Sequence, residues 1–178
     1  MTRLKILKRF YWVLLILLSV ATDQVTKHLV MQNLDYRKPV TVIQNFFSLT
    51  YTRNDGVAFG FLGGGSAAIR VVVILITFAT ILIVVWTLAR QMYHHPVAYI
   101  SLSLVVGGGI GNLVDRVIYH EVVDFLSFTF GTWDFAIFNM ADVFVCCGTF
   151  LFLIYFVFLH DKKQVKEEIS DGTDLSEE

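Results

Sequence analysis

Four apolar segments, each close to twenty residues long, constrain this chain more than any other feature. They cover residues 10–34, 67–89, 97–114 and 138–159. A hydrocarbon core about 30 Å thick is crossed by a helix of about 20 apolar residues. The chain is also 56% hydrophobic over its 178 residues, whereas soluble domains are roughly 45–50% apolar. The sequence therefore predicts an all-α membrane protein, a bundle of four transmembrane helices.

Basic residues indicate how these helices are oriented. They stand before the first span, after the second and after the fourth, as Arg3, Lys5, Lys8, Arg9, Arg90, Lys162, Lys163 and Lys166. Cytoplasmic segments carry an excess of positive charge, so we expect both termini inside and outer segments at residues 35–66 and 115–137. The first span also has features of a cleaved signal peptide. We favour an uncleaved span, because the rest of the chain is itself apolar enough to stay in the membrane. We expect one membrane domain over 1–160 and a disordered cytoplasmic tail over 161–178.

The acidic residues before position 161 fall on one side of the predicted membrane. All lie in the outer segments or at the outer ends of spans, as Asp23, Asp35, Asp55, Asp115, Glu121, Asp124, Asp134 and Asp142. A carrier of protons or ions usually places ionisable groups near the midplane. This one-sided cluster therefore favours a site at the outer surface over a carrier. A non-catalytic scaffold is a second alternative.

Several of these acids also have purely structural explanations. Asp23 and Lys27 have the i, i+4 spacing of a helix ion pair, which the sequence supports as well as a site role, and Lys27 can extend toward the surface. Asp115 and Arg116 are neighbours on a predicted helix, and we expect Arg116 to hold Asp115 in a structural role.

Two further acids stand where local structure begins. Asn139 and Asp142 have the spacing of a capping box at the start of the fourth span, and a carboxylate there is also stabilised by the helix dipole. Asp124 lies in an apolar, β-rich segment, which argues against a solvated loop but also fits an outward acid on an edge strand. Residues Thr41–Thr52 predict one or two strands, and Asp134 reads as a turn acid.

Charge and spacing argue against other classes of site. The formal net charge is -1, so nothing indicates binding to nucleic acid. Cys146 and Cys147 are adjacent in an apolar run and read as packing residues. His94 and His95 read as part of a solvated turn. Because no histidine and cysteine cluster has zinc spacing, we predict a protein without a metal or other cofactor.

Five blocks of sequence, taken together, point to a family. They are Asp23–Lys27, Asn54–Gly60, Gly108–Arg116, Val122–Phe125 and Phe138–Asp142. With these blocks in this order on four spans, the chain resembles the bacterial lipoprotein signal peptidases, also called type II signal peptidases. The one departure within the blocks is Val57, where the family usually has Ala.

The resemblance implies a fold, an activity and a location. The fold would be four transmembrane helices with a small outer β-sheet cradle and a short outer loop or helix. The activity would be that of a membrane-embedded aspartic endopeptidase, sensitive to globomycin, that cleaves a prolipoprotein before its diacylglyceryl-modified cysteine. The enzyme would be a monomer of the bacterial cytoplasmic membrane that contacts phospholipid, with its site at the outer leaflet.

The resemblance also implies which residues do the work. Asp124 and Asp142 would be the catalytic pair and share one activated water. Asp115 would be structural. The positions that bind substrate or support the pair would be Asp23, Lys27, Asn54, Gly56, Asn112, Arg116, Asn139 and Ala141.

Overall fold

The computed structural model of the chain describes residues 3–54, 67–90 and 95–159. Three of the expectations from the sequence lie outside these residues. They are the outer loop or helix before the second span, which contains Gly56, the turn at residues 91–94 with His94, and the polar tail at 161–178.

Four helices form the membrane part of the structure. Their bounds are α1 at Arg3–Asn33, α2 at Ala67–Ala89, α3 at Pro96–Ile118 and α4 at Met140–Phe158. Each contains a stretch that is long and apolar enough to cross a membrane. The predicted four-helix membrane fold is confirmed, because the length of an apolar run is a local property that needs no knowledge of tertiary contacts.

Helix α3 is longer than the sequence suggested. It continues to Ile118 and is capped by Tyr119, whose N–H donates to the Asp115 carbonyl. Asp115 and Arg116 therefore lie on the helix, as their spacing predicts, although the predicted span ends at residue 114. No glycine or proline interrupts the chain between Asn112 and Ile118, and polar residues can extend a membrane helix where the protein supplies partners. At the other end His95 accepts a hydrogen bond from the Val97 N–H. His95 is therefore a helix cap and not a solvated turn residue.

An antiparallel sheet of four strands covers one end of the bundle. The strands are β1 at Pro39–Ile43, β2 at Phe47–Asn54, β3 at Val122–Phe130 and β4 at Trp133–Asp134, in the order β1-β2-β3-β4. Asp134 lies on β4, where it pairs with Thr129 of β3, and is not a turn residue. Asp124 is buried on β3, so the alternative that it is an outward acid on an edge strand is wrong.

Helix α3 is the centre of the bundle, and half of its spanning window is buried, compared with 6% for α2. Small residues allow this: a Cβ added at Gly107 would lie 2.5 Å from the Cβ of Ser19 on α1, so the two backbones approach closely. Cys146 and Cys147 lie exposed on the outer face of α4. The interpretation of both as packing residues is wrong, since α4 turns that face away from α3.

An apolar cluster joins the sheet to the bundle. Val30, near the end of α1, packs with Tyr51 of β2 and with Val123 and Phe125 of β3. Residues 123 and 125 point to one face of β3, so Asp124 points to the other face. Packing of the apolar face against α1 therefore turns Asp124 toward the start of α4.

Candidate active site

The start of α4 holds Asp142 through a capping box. The Asp142 N–H donates to Oδ1 of Asn139 at 3.1 Å, and the Asn139 N–H donates to Oδ2 of Asp142 at 3.2 Å. The other oxygen of Asp142, Oδ1, accepts a hydrogen bond of 2.8 Å from Nδ2 of Asn112 on α3. Asp142 therefore completes a helix end and also reaches a second helix.

Asp124 is buried on β3, with only 3% of its surface exposed. Its Oδ1 accepts a hydrogen bond of 2.7 Å from Nδ2 of Asn139, and its Oδ2 accepts one of 3.1 Å from Nδ2 of Asn54. The pKa of Asp124 is raised to about 6, mainly by burial and also by the negative charge of Asp142, and these effects outweigh the lowering effect of the two hydrogen bonds. A carboxyl with this pKa changes its protonation near neutral pH.

Two asparagines connect the carboxylates of Asp124 and Asp142. Asn139 donates to Asp124 from its side chain and to Asp142 from its backbone. Its Nδ2 also donates to Oδ1 of Asn112 at 3.1 Å, and Asn112 donates to Asp142. All four carboxylate oxygens thus accept an N–H, and the two acids belong to one hydrogen-bonded network that strand β3 and helix α4 bring together.

An ion cluster lies behind this network, centred on Lys27. Its ammonium lies 2.8 Å from Oδ2 of Asp23 and 3.0 Å from Oδ2 of Asp115, and it donates to Oδ1 of Asn112 at 3.0 Å. Lys27 is 1% exposed. The expectation that it extends toward the surface is wrong, because buried acceptors satisfy its ammonium within the bundle.

The ion pair expected between Asp23 and Lys27 is present, and Asp23 has a further contact. Its Oδ1 accepts a hydrogen bond of 2.8 Å from the Ala141 N–H, which lies in the first turn of α4 next to Asp142. A Cβ added at Gly111 would lie 2.5 Å from Oδ2 of Asp23. Asp23 therefore joins α1 to the start of α4 across a closely packed part of α3.

Asp115 is held by a different partner from the one expected. Its Oδ2 pairs with Lys27 and accepts a hydrogen bond of 3.0 Å from the Val123 N–H of β3. Gln24, which sequence reasoning missed, donates to Oδ1 of Asp115 at 3.0 Å. Nothing in the sequence beyond its place next to Asp23 singles Gln24 out. Arg116 donates instead to the Asn112 carbonyl at 3.2 Å, so the predicted pairing of Arg116 with Asp115 is wrong.

A cavity of about 270 Å³ leads along the membrane helices to Asp142. Most of its wall is apolar, and its charged groups are at one end, where Arg116 interacts electrostatically with Asp142 and Asp124. The cavity lies between α2, α3 and α4. The lining residues are Ile76, Thr77, Thr80, Ile81, Val84, Val105, Val106, Gly109, Asn112, Arg116, Asp142 and Val145.

Within the described ranges, no group of three or more His, Cys, Asp or Glu side chains is arranged to hold a metal ion. The prediction of a site without a metal stays a prediction. The polar chemistry that the described residues supply consists of carboxylates, amides and two buried or half-buried cations. Two carboxylates in one network are suited to general acid–base chemistry on a bound water.

Comparison with known proteins gives a consistent result. Residues 15–158 match the family model described as signal peptidase (SPase) II. A protein from Listeria monocytogenes serotype 4b named lipoprotein signal peptidase is 38% identical over 153 residues, which cover 86% of this chain and 96% of that protein. A protein of the same name from Nitratidesulfovibrio vulgaris is 40% identical over 129 residues, covering 72% of this chain and 78% of its own.

Two solved structures share the fold. Both are described as bacterial membrane enzymes solved by the in meso method. One aligns with a TM-score of 0.74 at 30% identity and covers 83% of this chain and 87% of its own. The other has a TM-score of 0.75 at 28% identity, with 84% and 94% covered.

Proposed function

Because the chain belongs to the signal peptidase II family, which its match over residues 15–158 establishes, we propose that it is an aspartic endopeptidase that removes signal peptides from prolipoproteins. Family membership makes it a hydrolase of peptide bonds and a multi-pass bacterial membrane protein. The relatives named lipoprotein signal peptidase support a prolipoprotein as substrate. The finer proposal is that cleavage occurs before a diacylglyceryl-modified cysteine and uses two aspartates.

The observation that carries the proposal is the network joining Asp124 and Asp142. Two carboxylates that hold a water between them can divide the work of peptide hydrolysis. The ionised carboxylate takes a proton from the water while the water oxygen attacks the carbonyl carbon, and the protonated carboxyl gives its proton to the carbonyl oxygen. The C–N bond of the resulting diol then breaks. The departing amine receives the proton taken from water, and one hydroxyl of the diol returns a proton to the second carboxylate.

We assign the protonated role to Asp124 and the ionised role to Asp142. Burial raises the pKa of Asp124 to about 6, so it holds a proton more readily than an ordinary aspartate. Asp142 lies in the first turn of α4, where the helix dipole favours an ionised carboxylate. In this proposal the active form of the pair carries a single proton.

The apolar cavity supports binding of a signal peptide. A helical apolar segment can lie against α2, α3 and α4, and its cleavage point would then reach Asp142 at the polar end. We assign Asn54, Asn112 and Arg116 to binding the substrate backbone and its lipid-bearing end. Asn139 would hold the pair in position, and the Ala141 N–H, bonded to Asp23, would fix the start of α4.

The same proposal includes an orientation in the membrane. The basic residues near both ends of the chain support cytoplasmic termini. The polar site then lies at the outer leaflet, where a diacylglyceryl group anchored in lipid would hold the scissile bond. A monomer in contact with membrane phospholipid is sufficient for this chemistry, because the proposed machinery comes from one chain.

The proposal is tested by cleavage of a diacylglyceryl prolipoprotein by purified variants in phospholipid vesicles. Asp124→Asn and Asp142→Asn should each abolish cleavage while leaving a folded, membrane-inserted protein. Asp134→Asn is the matched control, since it replaces an exposed acid on the neighbouring strand. Cleavage at near-parental rate by either of the first two variants would refute the two-aspartate mechanism.

A further inference from the structure

The side chain of Asn112 has a defined orientation in the site. An amide can rotate by half a turn, which exchanges its acceptor oxygen with its donor nitrogen at little steric cost. In the structure Oδ1 of Asn112 accepts from Nζ of Lys27 at 3.0 Å and from Nδ2 of Asn139 at 3.1 Å. Its Nδ2 is thereby left to donate to Asp142 at 2.8 Å.

The opposite orientation of Asn112 would break all three contacts. Its NH₂ group would face the ammonium of Lys27 and the NH₂ group of Asn139, and its oxygen would face the carboxylate of Asp142. An ammonium has donors and no acceptor, so it discriminates between the two orientations absolutely. Its hydrogen bond is also charge-assisted, and such bonds are roughly twice as strong as neutral ones.

Lys27 is itself held without freedom to move. Its three ammonium protons match three buried acceptors, on Asp23, Asp115 and Asn112. A buried ion cluster is commonly no more stabilising than apolar side chains of the same volume. A gain in stability therefore does not explain why a lysine lies at this position. Its role as a fixed hydrogen-bond donor to Asn112 does explain it.

We propose that Lys27 is a positioning residue for the catalytic pair: its ammonium fixes the amide of Asn112 in the orientation that presents an N–H to Asp142. This inference rests on the proposed two-aspartate function. The charges around the pair are Arg116 on α3, Lys27 and Asp23 on α1, and Asp115 on α3. Lys27 is the cation whose contact reaches Asp142 through one intervening side chain.

The test is a double-mutant cycle built on Asp115→Asn. In that background Lys27→Met removes the cation after one of its two carboxylate partners has already been neutralised, which limits the damage from an unpaired buried charge. The second arm is Asn112→Ala, which removes the side chain that transmits the effect. The cycle compares four proteins: Asp115→Asn alone, Asp115→Asn with Lys27→Met, Asp115→Asn with Asn112→Ala, and Asp115→Asn with both further substitutions.

With Asn112 present, Lys27→Met should lower kcat by about tenfold to a hundredfold, a part of the 10²–10⁴ that acid–base catalysis contributes. KM should change less than about threefold, and the acidic limb of the pH profile should move to higher pH. With Asn112→Ala, the same change at Lys27 should alter kcat less than about threefold, because the amide that connects Lys27 to Asp142 has already been removed. Equal effects of Lys27→Met in both backgrounds would overturn the proposal.

A second measurement needs no substitution at Lys27 and decides the matter if the Met variants do not fold. In the parent protein labelled with ¹⁵N-asparagine, the Nδ2 amide of Asn112 is assigned by its loss in Asn112→Ala. It should give one pair of proton resonances whose shifts follow the pH dependence of cleavage. Two pairs of resonances, or shifts independent of pH, would overturn the proposal. Activity in Asp142→Asn would instead refute the proposed function, and the two failures are therefore distinguishable.

Discussion

Replacing Asp124 by Asn should stabilise the protein relative to its parent as the pH rises, even though it should abolish cleavage. Burial raises the pKa of this carboxyl from 3.8 to about 6, so the folded state holds a proton that the unfolded state releases more easily. The contribution of Asp124 to stability is therefore fully present below about pH 4 and is lost as the pH rises through about 6. Asparagine does not ionise and does not incur this loss.

The size of the effect follows from the two pKa values. The difference between 3.8 and about 6 corresponds to about 3 kcal/mol at 1.36 kcal/mol per pH unit. Asparagine cannot accept from both Asn54 and Asn139, so one hydrogen bond is lost, at a cost of about 1–3 kcal/mol. That cost is the same at every pH and cancels when the variant is compared with the parent at two pH values. The free energy of unfolding of Asp124→Asn relative to the parent should therefore rise by about 3 kcal/mol between about pH 4 and pH 8.

The assay is reversible unfolding in mixed detergent micelles at several pH values, with two-state behaviour checked by two spectroscopic probes. Asp134→Asn, in which the lost carboxylate is exposed on β4, is the control and should show little pH-dependent difference. A difference for Asp124→Asn that stays constant across the pH range would refute the reasoning. So would a difference that falls as the pH rises.

Three further predictions concern packing, capping and cofactors. Gly107→Ala should lower the free energy of unfolding by about 1–3 kcal/mol, because its Cβ would overlap Ser19. Gly109→Ala is the control: its Cβ would meet its nearest atom at 3.4 Å, so it should be neutral or stabilising by up to about 1 kcal/mol. Equal losses of stability in the two variants would contradict the close packing of α1 against α3. Asn139→Ala should destabilise the protein by at least about 1 kcal/mol through loss of the cap and should also lower kcat, since Asp124 loses its shorter hydrogen bond. Stability and kcat are measured by unfolding and by prolipoprotein cleavage. Cleavage should persist in a metal chelator, and its loss there with recovery on adding metal would refute a cofactor-free site.

The four helices could be predicted from the sequence because each rests on a local quantity. The bounds of α2 agree with the predicted span, since the segment is uncharged after Arg70 and its apolar run ends just before Arg90. The end of α3 could not be placed in the same way. Its last turn carries Asp115 and Arg116, which read as outer residues until their partners on α1, β3 and α3 itself are known.

In the candidate site too, local features could be predicted from the sequence and contacts between elements could not. Residues grouped by the five sequence blocks, among them Asn112, Asp124, Asn139 and Asp142, are in contact in the structure. Their catalytic and binding roles stay predictions. What the sequence could not supply was the identity of partners across elements. Spacing along α1 predicts that Lys27 meets Asp23, and it contains no information about Asp115 or Asn112 on another helix.

The balance of charge at the site gives a physical reason for one shared proton. Among the described residues, the cations Lys27 and Arg116 lie near four carboxylates, those of Asp23, Asp115, Asp124 and Asp142. With all four ionised, the cluster would carry an excess of two negative charges in surroundings that solvate charge poorly. Asp23 and Asp115 are paired directly with Lys27, so the excess falls on the other two acids. A proton retained by one of them removes half of this excess, and the same proton is the one that the proposed acid catalysis requires.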